Sequence, residues 1–479
     1  MTRKPCIVLI IPRGEAVRNF LYSDTLRVLS ANARVTLLSV VHDEEFVARF
    51  APCVERIVPL EEYPERRLVR DLRALVHEAH FRWLWSEVAR NRWETLDYQA
   101  QGFLGKGRRF LEKCVYRALA NRPSLQALSA LERRATWALR PTQDLDALFR
   151  AIQPDLVFNG SHVHGPASRL PVEVAHRMGI RTAGFIFSWD NLTSRSRILE
   201  PYDDYLVWHE SMRRQLLSIY PNIPSERVFV TGTPQFDFHF KPEFWLSRQE
   251  LCDWIGLDPQ RSFVLYTAGI DRHFPGEHRH LQLVASILQG LRPAPQLIVR
   301  TYIKGVSPEM TELAARGLPD VVFPPVLWSG DSFTPLAQDL PLYTSLLRHA
   351  AMGINAASTV SLELLMHDKP VMNIGFDPVG SSLPHPLRWA RHIDFDHYRP
   401  VVESGAVMVA RSPEDMRAMI HRGLTQAGAD SAARKRFIQQ MFDGTLDGHS
   451  GERVAECLLD LAVPRDGARP GSRRRSFGE

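Results

Sequence analysis

The chain has 479 residues, too long for one ordinary domain, and its 44% hydrophobic and 24% charged content is that of a globular protein able to bury two cores, which argues against a disordered chain. The net charge of +5 favours an anionic partner: a nucleotide phosphate, an acidic polymer or a membrane surface. Five scattered cysteines without a Cys-x-x-Cys pair argue against a zinc site or disulfide framework and for a reducing compartment, and no apolar run is long enough to span a bilayer.

The first region alternates strands and helices. Cys6–Ile11 is a continuous apolar run, as expected for a parallel strand covered on both faces, and stops at Pro12-Arg13-Gly14 without the small-residue cleavage site of a signal peptide. Ala16–Leu29 reads as a helix, Val35–Val41 and Val54–Leu60 as strands, with a short helix near Glu44–Phe50 between them. This rhythm is that of a doubly wound α/β sheet.

From about 63 to 144 the strand pattern lapses, and Arg, Leu and aromatic residues recur at helical spacing, which predicts a helical insertion. Between Arg82 and Arg122 there are nine Arg and Lys against four Asp and Glu, interleaved with Trp and Phe. Such a surface suits an anionic membrane, and the same pattern equally suits a helical subdomain with its tryptophans in the core.

The alternation resumes with strands at Asp155–Asn159, Arg181–Phe187, Tyr205–Trp208 and Arg227–Thr231, and Pro242–Pro259 reads as a connector. A second alternating unit begins at Ser262, with strands at Phe263–Thr267, Gln296–Thr301, Val321–Pro324, Met352–Asn355 and Pro370–Ile374. Three helices follow, and the tail 464–479, rich in Gly, Pro and Arg, reads as disordered. The predicted organisation is a first domain over 1–240 carrying the insertion, a second over 241–463, and the tail.

The most informative segment runs from Gly353 to Val371. A strand leads through small residues into a helix opening with Ser358 and Thr359, where free amide groups and a partial positive charge suit a phosphate. Glu363, about one turn in, is suited to accept hydrogen bonds from ribose hydroxyls. Two other loops follow strands of this unit, where ligands sit in open α/β sheets. One offers Gly269, Arg272 and His273, the other Arg300, Tyr302 and Lys304, as backbone approach or cation for a phosphate.

The pattern Ser358-Thr-Val-Ser-Leu-Glu363 with Lys369-Pro-Val371 resembles the donor-site helix of GT-B glycosyltransferases, notably bacterial enzymes of surface polysaccharide and lipid-linked glycan synthesis. Gly232-Thr-Pro-Gln-Phe-Asp237 resembles the Gly-Asn-Pro-x-x-Asp segment that ends their first domain, with Thr233 in place of Asn. The resemblance covers most of 154–376. It implies two Rossmann-like domains facing across a cleft, with Ser358 and Thr359 on the diphosphate and Glu363 on the ribose. The expected reaction is glycosyl transfer from a nucleotide sugar to a glycan or glycolipid acceptor, at the inner face of the membrane.

An inverting transfer needs a base for the acceptor hydroxyl. The candidates at strand ends of the first unit are Asp190, His162, His164 and Glu15, with Asp190 suited to orient His162. Gly14, Arg18 and Asn19 are candidate acceptor contacts. No Asp-x-Asp motif is found, Asp203-Asp204 reads as a turn, and no metal, further cofactor or nucleic acid is expected. On the same fold an isomerase resembling the UDP-N-acetylglucosamine 2-epimerases, a polyol-phosphate transferase and a non-catalytic glycan-assembly protein stay open.

Overall fold

A computed structural model describes residues 3–63, 65–140, 143–163, 166–303, 306–329 and 333–463. The tail expected to be disordered lies outside these residues. The first sheet contains β1 (Cys6–Ile11), β2 (Arg34–Ser39), β3 (Arg56–Pro59), β4 (Leu156–Asn159), β5 (Arg181–Phe185), β6 (Asp204–Val207) and β7 (Val228–Val230). All pair in parallel, in the order β3-β2-β1-β4-β5-β6-β7. The second contains β8 (Phe263–Thr267), β9 (Gln296–Arg300) and β10 (Val321–Val322). A two-stranded arm, β11 (Trp328–Ser329) with β12 (Thr334–Pro335), interrupts it before β13 (Met352–Asn355), β14 (Val371–Ile374) and β15 (Met408–Ala410). Its order is β10-β9-β8-β13-β14-β15, again parallel. In both sheets the first strand in sequence is central, so the order reverses beside it and a crevice opens at the carboxyl ends.

The apolar runs of β1, β4, β8 and β13 are buried throughout because helices cover both faces. One core fills the first lobe and continues under one face of the second sheet, and a separate cluster around Tyr266, Met352 and Trp389 fills the other face. Three local expectations change. The helix expected over 16–29 breaks into a π-helical turn at Val17–Leu21 and a helix at Asp24–Asn32, started anew by the Ser23 hydroxyl accepting the Thr25 amide. The connector at 242–259 contains the helix Arg248–Ile255, set by a capping box between Ser247 and Glu250. Asp204 is no turn residue: it opens β6, fully buried, and pairs with Arg181 at 2.6 Å and Arg227 at 3.2 Å.

The final helix, Ser450–Ala462, crosses back to the first lobe and lies against Asp24–Asn32. The insertion is helical as expected, with Arg67–Leu84, Glu87–Gln99, Gly102–Leu119 and Arg122–Leu139. No helix among the described residues is long and apolar enough to cross a membrane.

A buried carboxylate anchors the insertion. Glu132 is fully buried and accepts hydrogen bonds from Arg73 at 3.0 Å and from Arg169, on the helix covering the first sheet, at 2.6 Å. Removing one member of such a cluster strands its partners without solvent. Glu132→Ala is therefore expected to lower stability by about 3–5 kcal/mol, read from urea unfolding monitored by tryptophan fluorescence.

Candidate functional site

The loops at the carboxyl ends of the two sheets meet in the crevice. In the second lobe, β13 turns through Ser358 into the helix Thr359–Met366. A buried polar network fixes this turn: Ser361 and Asn373 donate to Asn355 Oδ1 at 3.0 and 2.9 Å, and the Tyr398 hydroxyl lies 2.7 Å from Ser361 Oγ. Ser358 has the extended backbone of a helix cap, yet its hydroxyl makes no capping bond and, although shielded, has no hydrogen-bond partner. Thr359 Oγ1 accepts a bond from the indole of Trp189, in the opposite lobe, at 3.1 Å. The helix start therefore faces the other lobe.

Glu363 sits at the seam between lobes, but not as an open carboxylate. Oε1 meets His239 Nε2 at 3.1 Å and Oε2 accepts from the Tyr343 hydroxyl at 2.7 Å. The other donor-site candidates divide. Arg300 is buried and held by Asp339 at 2.5 Å and the Pro325 carbonyl at 2.9 Å, so it braces the β11–β12 arm and is not free for a phosphate. The Gly269 amide is already donated to Glu277 at 3.0 Å, and a Cβ at Gly269 would run into the Phe274 ring, so this glycine serves internal packing. Arg272 is exposed and donates to its neighbour His273 at 3.2 Å. Lys304 lies outside the described residues.

In the first lobe, the loop after β1 carries Arg13, Gly14 and Glu15. Arg13 pairs with Glu15 at 3.0 Å and stacks on Phe333 of the arm at 4.8 Å. A Cβ at Gly14 would collide with Thr334 and the Phe333 carbonyl, so only glycine lets the arm close on this loop. Arg18 bonds Gln235 and Asn19, both at 3.0 Å, while the fully buried Asn19 keeps an unpartnered side-chain NH2.

The expected His162–Asp190 pair does not form. Backbone groups take the imidazole first: His162 Nδ1 lies 3.2 Å from the Phe185 carbonyl and 3.4 Å from the Phe187 amide. Burial, with Arg195 adding to it, pushes the imidazole down to about 4, so it is neutral at pH 7. His164 lies outside the described residues. Asp190 accepts the Ser188 and Ser194 hydroxyls, both at 2.5 Å. Burial pushes its carboxyl up, but His397 across the crevice, the two hydroxyls and Arg195 outweigh that push and hold it below the ordinary value.

Two residues with no role in the sequence reading stand out. His397, in the second lobe, faces Asp190 electrostatically and packs edge-on to Trp189 at 5.2 Å. Arg195 is exposed, is electrostatically coupled to His162, Asp190, His273 and Tyr302 in both lobes, and makes no side-chain hydrogen bond or ion pair among the described residues. Arg195 follows the short helix Asn191–Ser194 and no strand, so a search of strand ends passes it by.

Glu277, beneath the Gly269 loop, gives the lobe a pH response. Burial is the main cause of its rise from the ordinary 4.5 to about 7. The folded chain therefore holds an extra proton between those values, and stability falls as pH rises from about 4.5 to about 7. The expected loss is on the order of 3 kcal/mol. Glu277→Gln should flatten that slope, checked by urea midpoints measured across this range.

No family model matches the chain, and no curated protein matches it. Solved structures do. A UDP-N-acetylglucosamine 2-epimerase aligns at 14% identity and TM-score 0.53, with 96% of each chain covered. The UDP-GlcNAc 2-epimerase from Neisseria meningitidis bound to UDP-GlcNAc aligns at 11% identity and TM-score 0.51, covering 95% of this chain and 100% of that one. The S. aureus MnaA–UDP co-structure aligns at 13% identity and TM-score 0.52, covering 95% and 97%. Identities this low establish a shared fold: two Rossmann-like domains facing across a cleft, the GT-B arrangement, here with a helical insertion.

Proposed function

We propose that the crevice binds a nucleoside diphosphate sugar and that the chain transfers its glycosyl group to an acceptor hydroxyl of a glycan or glycolipid. The observation that carries this is the start of the helix Thr359–Met366, which faces the opposite lobe with an unpartnered Ser358 hydroxyl. Amide groups and a partial positive charge at such a start favour a diphosphate. Arg195 and Arg272 bring to the same crevice cations that make no ion pair among the described residues.

In this reading the acceptor oxygen attacks the anomeric carbon as the bond to the diphosphate oxygen breaks. The leaving diphosphate takes the electron pair, and its charge falls toward the helix start and Arg195. The acceptor proton passes to Asp190, which is ionised at neutral pH and keeps lone pairs beyond those taken by Ser188 and Ser194. Glu363 meets the ribose only by exchanging a bond now made with His239 or Tyr343. Thr359 likewise contacts phosphate by releasing Trp189.

The solved neighbours bound to UDP or UDP-GlcNAc support a uridine donor, and the neighbours that are UDP-N-acetylglucosamine 2-epimerases support a second reading, inversion at C2 of the bound sugar. Incubation with UDP-sugar alone separates the two: an epimerase changes the sugar without an acceptor, and a transferase releases UDP only when one is supplied. UDP is expected to raise the melting temperature more than CMP. Ser358→Ala and Arg195→Ala should each weaken UDP binding by about tenfold. Asp190→Asn should lower transfer by about 100-fold or more while leaving UDP binding intact. Unchanged turnover in Asp190→Asn would remove it as the base.

A further inference from the structure

The helix Gly102–Leu119 is amphipathic the wrong way round for a core helix. Arg109 is its one residue classed as buried, bonded to Asp97 at 2.8 Å and stacked on Trp93 at 4.8 Å. The apolar side faces out: Phe103 is 91% exposed, Leu104 84%, Phe110 64%, Leu111 65% and Val115 46%. At about 100° per residue these side chains share one face with Gly107, Cys114 and Ala118, opposite Arg109. The tryptophans face the other way, with Trp93 buried edge-on against Trp85 at 5.4 Å. Aromatic residues that looked interleaved in sequence therefore split into an internal set and an outward set.

We propose that this outward face lies in the surface of an anionic lipid bilayer. Charge placement selects that occupant. Lys106 and Arg117 border one edge of the apolar face and Arg108 the other. Lys106 makes no ion pair among the described residues, Arg117 lies over the Trp93 ring at 5.8 Å, and Glu112, paired with Arg108 at 2.8 Å, is the helix's only acidic residue. Side chains as exposed as Phe103 and Leu104 touch almost nothing of their own chain and so project outward. A projecting apolar row bordered by lysine and arginine enters the acyl boundary while its cations meet lipid phosphates at headgroup depth. Neighbouring parts of the same insertion reach the crevice, where the Ser86 hydroxyl donates to the Thr193 carbonyl at 2.9 Å. The lipid contact would thus hold the crevice beside the membrane.

Co-sedimentation of the full chain with vesicles tests this, comparing phosphatidylcholine alone with phosphatidylcholine containing about 30% phosphatidylglycerol. The wild type is expected to bind the anionic vesicles and to lose binding as salt is raised. The double variant F103S/L104S should bind about tenfold more weakly, with unchanged melting temperature and UDP binding. K106E/R117E should lose the preference for anionic lipid. Absent or equal binding to the two vesicle types overturns the proposal. So does a wild-type dimer in sedimentation velocity that F103S/L104S dissociates, because a second copy then covers the face. Neither result bears on the nucleotide site, which is read separately by UDP binding.

Discussion

The arrangement of the two lobes depends on a buried carboxylate where the chain crosses between them. Asp237 accepts the amides of Ser450 at 3.0 Å and Gly451 at 2.7 Å, at the start of the helix that returns to the first lobe. Burial pushes its carboxyl up to about 6, and those two amides pull the other way. Arg453 adds a bond to the Thr231 carbonyl at 2.9 Å, and Thr25 one to the Gly451 carbonyl at 3.0 Å. Two residues beyond Asp237, His239 reaches Glu363 in the second lobe. One short segment thus clasps the returning helix to one sheet and touches the helix Thr359–Met366 of the other.

The remaining contacts between lobes are of a weaker kind. Glu94 of the insertion meets His385 at 2.9 Å and Arg391 at 3.4 Å, all partly solvated. Such rim pairs contribute about 0–1 kcal/mol each. The Trp189–Thr359 bond and the Gly14–arm contact are local and neutral. These magnitudes mark the rim contacts as small terms beside the clasp at Asp237 and the core that continues between the lobes.

Strand positions were legible because both sheets are covered on two faces, so that β1 had to be an unbroken apolar run and β4, β8 and β13 largely apolar ones. The arm at 328–335 was not, since two-residue strands carry no period to read. At the site, residue types alone misled where two roles share one signature. A glycine after a strand suits a ligand or a tightly packed Phe274 ring, and at Gly269 the ring decides. An arginine at a strand end suits a phosphate or a buried partner, and at Arg300 Asp339 decides. His162 and Asp190 follow adjacent strands, but which group an imidazole bonds is set by backbone carbonyls that side-chain identity does not reveal. The Gly232–Asp237 segment was recognisable as a pattern, and its physical purpose, capping a helix some 200 residues later, needed the fold.

The placement of His397 ties closure to chemistry. Asp190 belongs to the first lobe and His397 to the second, so their interaction exists only while the lobes are together. The insertion sits at the same junction, since Ser86 bonds the Thr193 carbonyl of the first lobe and the next amide, Glu87 N–H, bonds Asp396 of the second. Burial pushes the His397 imidazole below its ordinary value, so at neutral pH it meets the Asp190 carboxylate as an uncharged ring. With the lobes together the two side chains meet and water is displaced from between them.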